Sequence, residues 1–189
     1  MADKKNIEVP EEYLEKLEQK VAMLRSLIDM TSVISSTLDL NDLMDIVMEK
    51  AKQEMNAEAC SILFYNRQTD KLEFEVAHCD NKCASDTLKK KITLEMGQGI
   101  AGWVAANRQP LFIDNTSSDP RFFAEADKQT GFTTKSIVAV PLIGRGGLIG
   151  VAELINPHRK DYDPEIFNIL CRQFAIAIEN AQLHRESIE

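Results

Sequence analysis

The fold of this chain is decided by the stretch LEMGQGIAGWVAANRQPLFIDNTSSDPRF, residues 94–122, together with TGFTTKSIVAVPLIGRGGLIGVAELIN, residues 130–156. In the first stretch, Gly97 and Gly99 interrupt the backbone just before an apolar segment. This pattern predicts a short helix over residues 100–106.

The remainder of these two stretches predicts a strand, a second short helix and a β-hairpin. The strand occupies residues 111–113, and Pro120 opens the second helix because a first-turn residue needs no N–H donor. Residues 136–143 pair with residues 148–156, since two apolar runs flank a glycine-rich connection. Short helices held over a hairpin are an arrangement in which a small-molecule pocket can be built.

Elsewhere the apolar periodicity predicts two long helices and three further strands. Asp39 can cap the first of these helices, and Pro164 starts the last one. The strands are predicted over residues 59–65, 72–77 and 92–94. The first helix has one apolar stripe, but the last has two, which predicts two burial partners. The first stripe is Leu40, Leu43, Met44, Val47, Met48 and Ala51; those of the last helix are Phe167, Leu170, Phe174, Ala177 and Ala181, and Ile166, Ile169, Ile176 and Leu183.

The N-terminal region carries a heptad pattern on a helix that begins at Pro10. Its 3-4 apolar spacing, with β-branched residues at a and leucine at d, predicts a parallel two-stranded coiled coil. Lys20 and Arg25 would repel each other across such a dimer, and the stripe would also fit against the chain's own last helix, so both arrangements stay open. The a positions are Leu14, Val21 and Ile28, and the d positions are Leu17, Leu24 and Thr31.

Composition and charge exclude several classes of protein. The net charge of −8 over 189 residues leaves no basic face for nucleic acid. No apolar run approaches the ~20 residues that span a bilayer, and the N-terminus is too polar for a signal peptide, which indicates a cytoplasmic protein. Cysteines at positions 60, 79, 83 and 171 are too few and too irregularly spaced for a disulfide framework.

As an ordered set, the motifs of the central stretch resemble those of the GAF domain family, the small-ligand sensor modules of signalling proteins. The resemblance covers about residues 25–183, and the set is specific although each motif alone is weak. The motifs are Gly97-Gln98-Gly99-Ile100-Ala101-Gly102, Asp119-Pro120-Arg121-Phe122, Thr130-Gly131-Phe132, Val140-Pro141-Leu142 and Gly150-Val151-Ala152-Glu153-Leu154-Ile155-Asn156.

The family resemblance implies an α/β sandwich with a central antiparallel sheet of five or six strands. Long N- and C-terminal helices would cover one face, and short helices and loops would cover a ligand pocket on the other. We therefore predict an N-terminal coiled-coil-like helix over residues 1–36 and a GAF domain over residues 37–183. The C-terminal helix, residues 163–187, would pack with the N-terminal helix.

Within the family, the chain is most similar to the cyclic-nucleotide-binding GAF domains of phosphodiesterases. This similarity implies that cAMP or cGMP is the ligand and that the N–H groups of Ile100 and Ala101 meet its cyclic phosphate. A helix N-terminus suits an anion because its first N–H groups have no partner within the helix. The matching positions also include Ser61, which faces the base, Glu153 on the sheet floor, and Phe123, Asp127, Thr130 and Thr134 on the covering helix and lid.

The chain departs from this phosphodiesterase pattern in three places. A Phe-Asp pair of the family appears as Ala77-His78, which removes a stacking ring and a guanine-reading acid and so favours adenine. The Asn-Lys of the family appears as Asn156-Pro157, and its downstream acidic pair as Ile166-Phe167, with Tyr162 in the aromatic place. Losing the Lys and the acid together leaves no buried charge without its partner.

The alternative interpretation is a redox-active GAF domain, either a thiol sensor or an enzyme similar to free-methionine-sulfoxide reductase. Its reactive thiols could come only from Cys79 and Cys83. These two cysteines form a C-x3-C pattern beside His78, but this set lacks the fourth ligand that a structural zinc site needs. His158 and His184 lie near no nucleophile. We expect a sensory domain that binds a small molecule, forms a homodimer and acts on a downstream signalling protein. We expect no enzymatic activity, no metal site and no binding to membranes or nucleic acid.

Overall fold

The computed structural model describes residues 10–15, 17–18, 21, 25, 28, 40–79, 92–158 and 164–186. Six strands and four α-helices lie in the parts of the chain from residue 40 onward that the structure describes. The strands are β1 (Ala57–Asn66), β2 (Lys71–Cys79), β3 (Thr93–Glu95), β4 (Leu111–Ile113), β5 (Ile137–Gly144) and β6 (Gly147–Pro157); the helices are α1 (Leu40–Glu54), α2 (Gly99–Asn107), α3 (Glu125–Thr130) and α4 (Pro164–Glu186), with a 3-10 turn at Thr116–Ser118.

The strands form one antiparallel sheet in the order β3-β2-β1-β6-β5-β4. β1, β6 and β5 lie at its centre, where the apolar runs of the sequence are longest. The predicted hairpin is the β5–β6 pair, joined through Arg145 and Gly146. The predicted fold class, an α/β sandwich on an antiparallel sheet, is therefore confirmed.

One face of the sheet is covered by α1 and α4. From Leu43 to Ala51 the stripe predicted for α1 is buried, with Leu43, Met44 and Met48 each 1% exposed. On α4, Phe167 and Phe174 enter the same core, which reaches the sheet at residues such as Ile62 and Leu154. The amphipathic pattern of both helices thus explains this layer.

The opposite face of the sheet is covered by α2 and the segments around it. Ile100, Ala101 and Val104 of α2 belong to a second core with Ala139 of β5 and Val151 of β6. This helix is apolar almost all round because it is buried between the sheet and the neighbouring loops. The candidate site lies on this face.

The apolar stripes that face away from the two cores are exposed. In the N-terminal region, Leu14, Leu17, Val21 and Ile28 are between 42% and 68% exposed, while Leu24 and Thr31 lie outside the described residues. On α4, Ile169 and Ile176 are about equally exposed; the side chains of Ile166 and Leu183 lie outside those described. The coiled coil and the packing of the N-terminal helix on the C-terminal one stay predictions.

The helix predicted to open at Pro120 was misplaced. The carboxylate of Asp119 accepts a hydrogen bond from the N–H of Arg121 at 2.9 Å, which closes a turn at this proline. The helix, α3, begins five residues later at Glu125. None of the helices in the described ranges is long and apolar enough to cross a membrane.

Candidate functional site

The floor of the candidate site is a buried pair, Ser61 and Glu153, at the centre of the sheet. Ser61 on β1 lies directly opposite Glu153 on β6, whose other neighbour is Ala139 on β5. The hydroxyl of Ser61 donates to Oε2 of Glu153 at 2.9 Å, and the two residues are 2% and 6% exposed. Burial raises the pKa of Glu153 to about 7, although the hydrogen bond from Ser61 lowers it. A carboxyl thus sits at the floor with a hydroxyl as its neighbour.

The first turn of α2 lies on the same face of the sheet. The side chain of Gln98, the residue before the helix, makes no capping hydrogen bond and instead accepts one from the N–H of Glu95 at 3.0 Å. The first N–H with a partner at this end of the helix is that of Gly102, which donates to the carbonyl of Gln98. The preceding N–H groups, of Ile100 and Ala101, therefore have no acceptor within the helix. Such a first turn can bind an anion.

Glycines set the position of this helix start. Gly97 and Gly99 have φ values of 86° and 68°, which residues with a side chain rarely adopt. At Gly102, a Cβ atom would lie 2.5 Å from the carbonyl oxygen of Glu95, so only glycine allows the first turn to pack against the preceding loop. The motif spacing in the sequence therefore reflects backbone geometry.

Phe123 lies beside the start of α2. Its Cβ is 3.2 Å from the position that a Cβ on Gly99 would occupy, and its side chain is 40% exposed. An exposed aromatic ring next to a helix N-terminus is placed to stack on a planar group bound there.

Asp127 and Thr134 bond to each other. The carboxylate of Asp127 on α3 accepts from both the N–H and the hydroxyl of Thr134, each at 2.7 Å. The carbonyl of Asp127 also accepts from the N–H of Gly131, which ends the helix in a left-handed conformation. These bonds tie α3 to the segment that enters β5.

Two residues that were not predicted hold that same segment, residues 133–136. The hydroxyl of Thr116, 3% exposed, donates to the carbonyl of Thr134. Asn156 adopts a left-handed backbone and its side-chain oxygen accepts from the N–H groups of Lys135 and Ser136, at 2.7 and 3.1 Å. The signal in the sequence was the asparagine itself, because asparagine tolerates positive φ and can bond to nearby backbone.

A further unpredicted contact fastens the loop before α3 to α2. The guanidinium of Arg121 donates two hydrogen bonds to the carboxylate of Asp119, at 2.9 and 2.7 Å, and lies 4.9 Å from the ring centroid of Trp103. The hydrogen bonds from Arg121 hold the pKa of Asp119 below its ordinary value. The cation of Arg121 is thus engaged by an acid and an aromatic face.

The structure brings the predicted residues together as three groups: the Ser61–Glu153 floor, the α2 start beside Phe123, and the Asp127–Thr134 pair. Thr130 ends α3, but its side chain lies outside those described. The same is true of His78 and Cys79, and Cys83 lies outside the described residues altogether. The redox alternative therefore stays a hypothesis.

Comparison with known proteins identifies relatives of this region. A family model described as "GAF domain" matches residues 39–178. A probable 3′,5′-cyclic phosphodiesterase of Caenorhabditis elegans is 40% identical over 102 residues, which are 51% of this chain and 14% of that protein. A cGMP-specific 3′,5′-cyclic phosphodiesterase of Drosophila mojavensis is 37% identical over 106 residues, 53% of this chain and 10% of that protein. The chain thus spans only a small part of these curated relatives.

Solved structures share the fold at low sequence identity. The GAF domain from an Acinetobacter phosphoenolpyruvate-protein phosphotransferase has a TM-score of 0.71 at 20% identity, and the match covers 87% of this chain and 98% of that one. A free methionine-R-sulfoxide reductase from Neisseria meningitidis, in complex with its substrate, has a TM-score of 0.70 at 16% identity, covering 86% and 91%. At these identities, the likeness speaks for the fold alone.

Proposed function

Because this chain belongs to the GAF domain family, we propose that it is a regulatory, non-catalytic domain of a signal-transduction protein that binds a purine 3′,5′-cyclic monophosphate. The observation that carries this proposal is the first turn of α2, whose N–H groups at Ile100 and Ala101 are left uncapped by Gln98 beside the exposed ring of Phe123. Two curated relatives named as cyclic-nucleotide phosphodiesterases support the choice of ligand class.

In the proposed complex, the cyclic phosphate accepts hydrogen bonds from the N–H groups of Ile100 and Ala101. A helix N-terminus stabilises an anion without a basic side chain, because the aligned peptide dipoles leave partial positive charge there. The base lies between Ser61 and the Phe123 segment, over the floor carboxyl of Glu153. Since Ala77-His78 offers no carboxylate to read guanine, we propose that adenine is preferred.

The lid of the proposed site is α3 together with residues 130–134. Asp127 and Thr134 bond to each other through two contacts of 2.7 Å each. These bonds tie α3 to Thr134, and we propose that α3 covers the ligand, with Thr130 facing it from the end of the same helix. A ligand that prefers this lid position shifts the population toward it.

The output of the domain is proposed to pass through its exposed helical stripes. Leu14, Leu17, Val21 and Ile28 have heptad spacing and remain exposed on the single chain. We propose a parallel homodimer through this seam in the cytoplasm, with the exposed face of α4 contributing, and a downstream signalling protein that responds to the dimer arrangement. Ligand binding would change the stability of that dimer arrangement, because a coupling free energy links the ligand site to the dimer seam.

The experiment that tests ligand binding is calorimetry with cAMP and cGMP on the chain and on two phenylalanine variants. Phe123→Ala removes the ring beside α2, and base–aromatic stacking typically contributes ~1–3 kcal/mol, so affinity should fall about tenfold to a hundredfold. Phe112→Ala is the matched control, because Phe112 on β4 is 43% exposed, close to the 40% of Phe123. Equal losses in both variants would contradict the proposed position of the base.

A further inference from the structure

Among the residues that the structure describes, no cation lowers the pKa of the floor carboxyl of Glu153. Burial raises its pKa to about 7, and the hydrogen bond from the hydroxyl of Ser61 acts in the opposite direction. Its direct neighbours across the sheet are small and neutral: Ser61 on β1 and Ala139 on β5. A buried carboxylate in such surroundings is costly because its charge loses hydration without gaining a counter-charge.

In the described part of the chain, the elements packed around Glu153 supply no compensating charge. Neither β5, with the sequence IVAVPLIG, nor α2, with GIAGWVAAN, contains a titratable side chain. On β1, the acid Glu58 accepts from Asn156 and the phenol of Tyr65 donates to Asp70. The charged residues of the lid, Glu125, Asp127 and Lys128 on α3 and the Asp119–Arg121 pair before it, make no contribution to the pKa of Glu153.

The proposed ligand adds a second negative charge to this face of the sheet. A cyclic phosphodiester is anionic at neutral pH, and the α2 start offers it backbone N–H groups rather than a basic side chain. An ionised Glu153 would repel that anion within the same poorly solvated site, whereas a neutral carboxyl would not. A neutral carboxyl also gains a hydrogen-bond donor that it can offer to the ligand.

We propose that the site takes up its anionic ligand with Glu153 protonated, so that ligand binding is coupled to the uptake of a proton from solvent. The proton comes from water and resides on the Glu153 carboxyl in the complex. This inference rests on the proposed cyclic-nucleotide function and adds a regulation to it: the domain responds to ligand and pH together. Acidification near neutral pH strengthens binding, and alkalinisation weakens it.

The size of the effect follows from the fraction of chains that carry the neutral carboxyl. With a pKa of about 7, that fraction is about 0.9 at pH ~6 and about 0.1 at pH ~8. If only the neutral form binds, the affinity for cAMP falls about tenfold between these two pH values. Near pH 7, where about half of the chains carry the proton beforehand, each binding event takes up about half a proton.

The test is calorimetric titration of the whole chain with cAMP, and with cGMP in parallel, at pH ~6, ~7 and ~8, in two buffers that differ in ionisation enthalpy. The dependence of the measured heat on the buffer gives the number of protons taken up. Glu153→Gln should abolish both the proton uptake and the change of affinity with pH, whatever its own affinity is. His78→Ala is the control, since a histidine titrates in the same range and the backbone of His78 pairs with Cys60, next to Ser61.

The outcomes separate this inference from the proposed function. A tenfold fall in affinity that disappears in Glu153→Gln and persists in His78→Ala supports proton coupling. Binding with the same affinity at all three pH values overturns proton coupling but leaves cyclic-nucleotide binding standing, and so does a pH dependence that survives in Glu153→Gln. If neither cAMP nor cGMP binds at any of these pH values, the proposed function and the coupling fall together.

Discussion

Replacement of Glu153 by glutamine should change how the stability of the ligand-free domain depends on pH. Glu153 is 6% exposed, and burial raises its pKa from 4.5 to about 7. Between these two values the folded chain binds more protons than the unfolded chain does, so the free energy of unfolding falls as pH rises. Below pH ~4.5 the carboxyl is protonated in both the folded and the unfolded chain and does not change the free energy of unfolding. Above pH ~7 it is ionised in both, and the full cost of burying its charge lowers the free energy of unfolding.

The magnitude follows from the difference of about 2.5 units between the two pKa values. At ~1.4 kcal/mol per unit, the single carboxyl lowers the free energy of unfolding by about 3 kcal/mol between pH ~4.5 and pH ~8. Glutamine cannot ionise, so this part of the pH dependence is absent from Glu153→Gln. All other groups titrate in both proteins and cancel when the two curves are subtracted.

Urea unfolding of both proteins at a series of pH values measures this difference. The stability of Glu153→Gln relative to the original chain should rise by about 3 kcal/mol from pH ~4.5 to pH ~8, mostly between pH ~5 and ~7. Glu75→Gln is the matched control, because it makes the same substitution at an exposed carboxyl on β2 of the same sheet, and its difference curve should lack this rise. A difference curve for Glu153→Gln that is flat would refute the view that the floor carboxyl is buried without a counter-charge.

Three further predictions concern the lid, the heptad seam of the N-terminal helix and the turn between β5 and β6. Asp127→Ala and Thr134→Ala should each weaken cyclic-nucleotide binding about tenfold to a hundredfold, as expected when the loss of a hydrogen-bond partner costs ~1–3 kcal/mol. The double variant should lose little more than Asp127→Ala alone in the same titration, because Asp127→Ala already removes both contacts with Thr134; additive losses would contradict that link. Val21→Asp should shift the chain from dimer to monomer in light scattering, because a carboxylate at an a position is desolvated without a partner, and a chain that is monomeric at micromolar concentration before mutation would refute the seam. Glu179→Gln should speed hydrogen exchange at the N–H of Gly146, because the N–H groups of Arg145 and Gly146 hold the pKa of the Glu179 carboxyl below its ordinary value. This stabilising contact is present above the ordinary pKa and is lost as pH falls. Unchanged exchange in the variant would show that the contact does not stabilise the hairpin turn.

The strands and helices were largely predictable because their signals are local. The strand over residues 111–113 has the bounds that the sequence predicted, and α2 extends the predicted helix by one residue at each end. Glycines and apolar runs give these limits directly, since each acts on its own segment of backbone. The helix at Pro120 was wrong because the hydrogen bond from the N–H of Arg121 to Asp119 forms a turn there.

The contacts of the candidate site were less predictable because they depend on strand pairing and on left-handed backbone. Ser61 and Glu153 are 92 residues apart in the chain and meet only through the register of β1 and β6. The resemblance supplied both residues, but no local pattern predicted their hydrogen bond. Asn156 was recognised as part of a motif, yet its hold on residues 133–136 became visible only with its positive φ.

The central claim, that a cyclic nucleotide binds at the start of α2, is tested most directly by the backbone amide resonances of isotopically labelled protein during titration with cAMP. The N–H groups of Ile100 and Ala101 should shift most, because the phosphate accepts their hydrogen bonds. The amides of α4, on the opposite face of the sheet, should shift far less. Millimolar cAMP and cGMP that leave the resonances of Ile100 and Ala101 unmoved would contradict the claim.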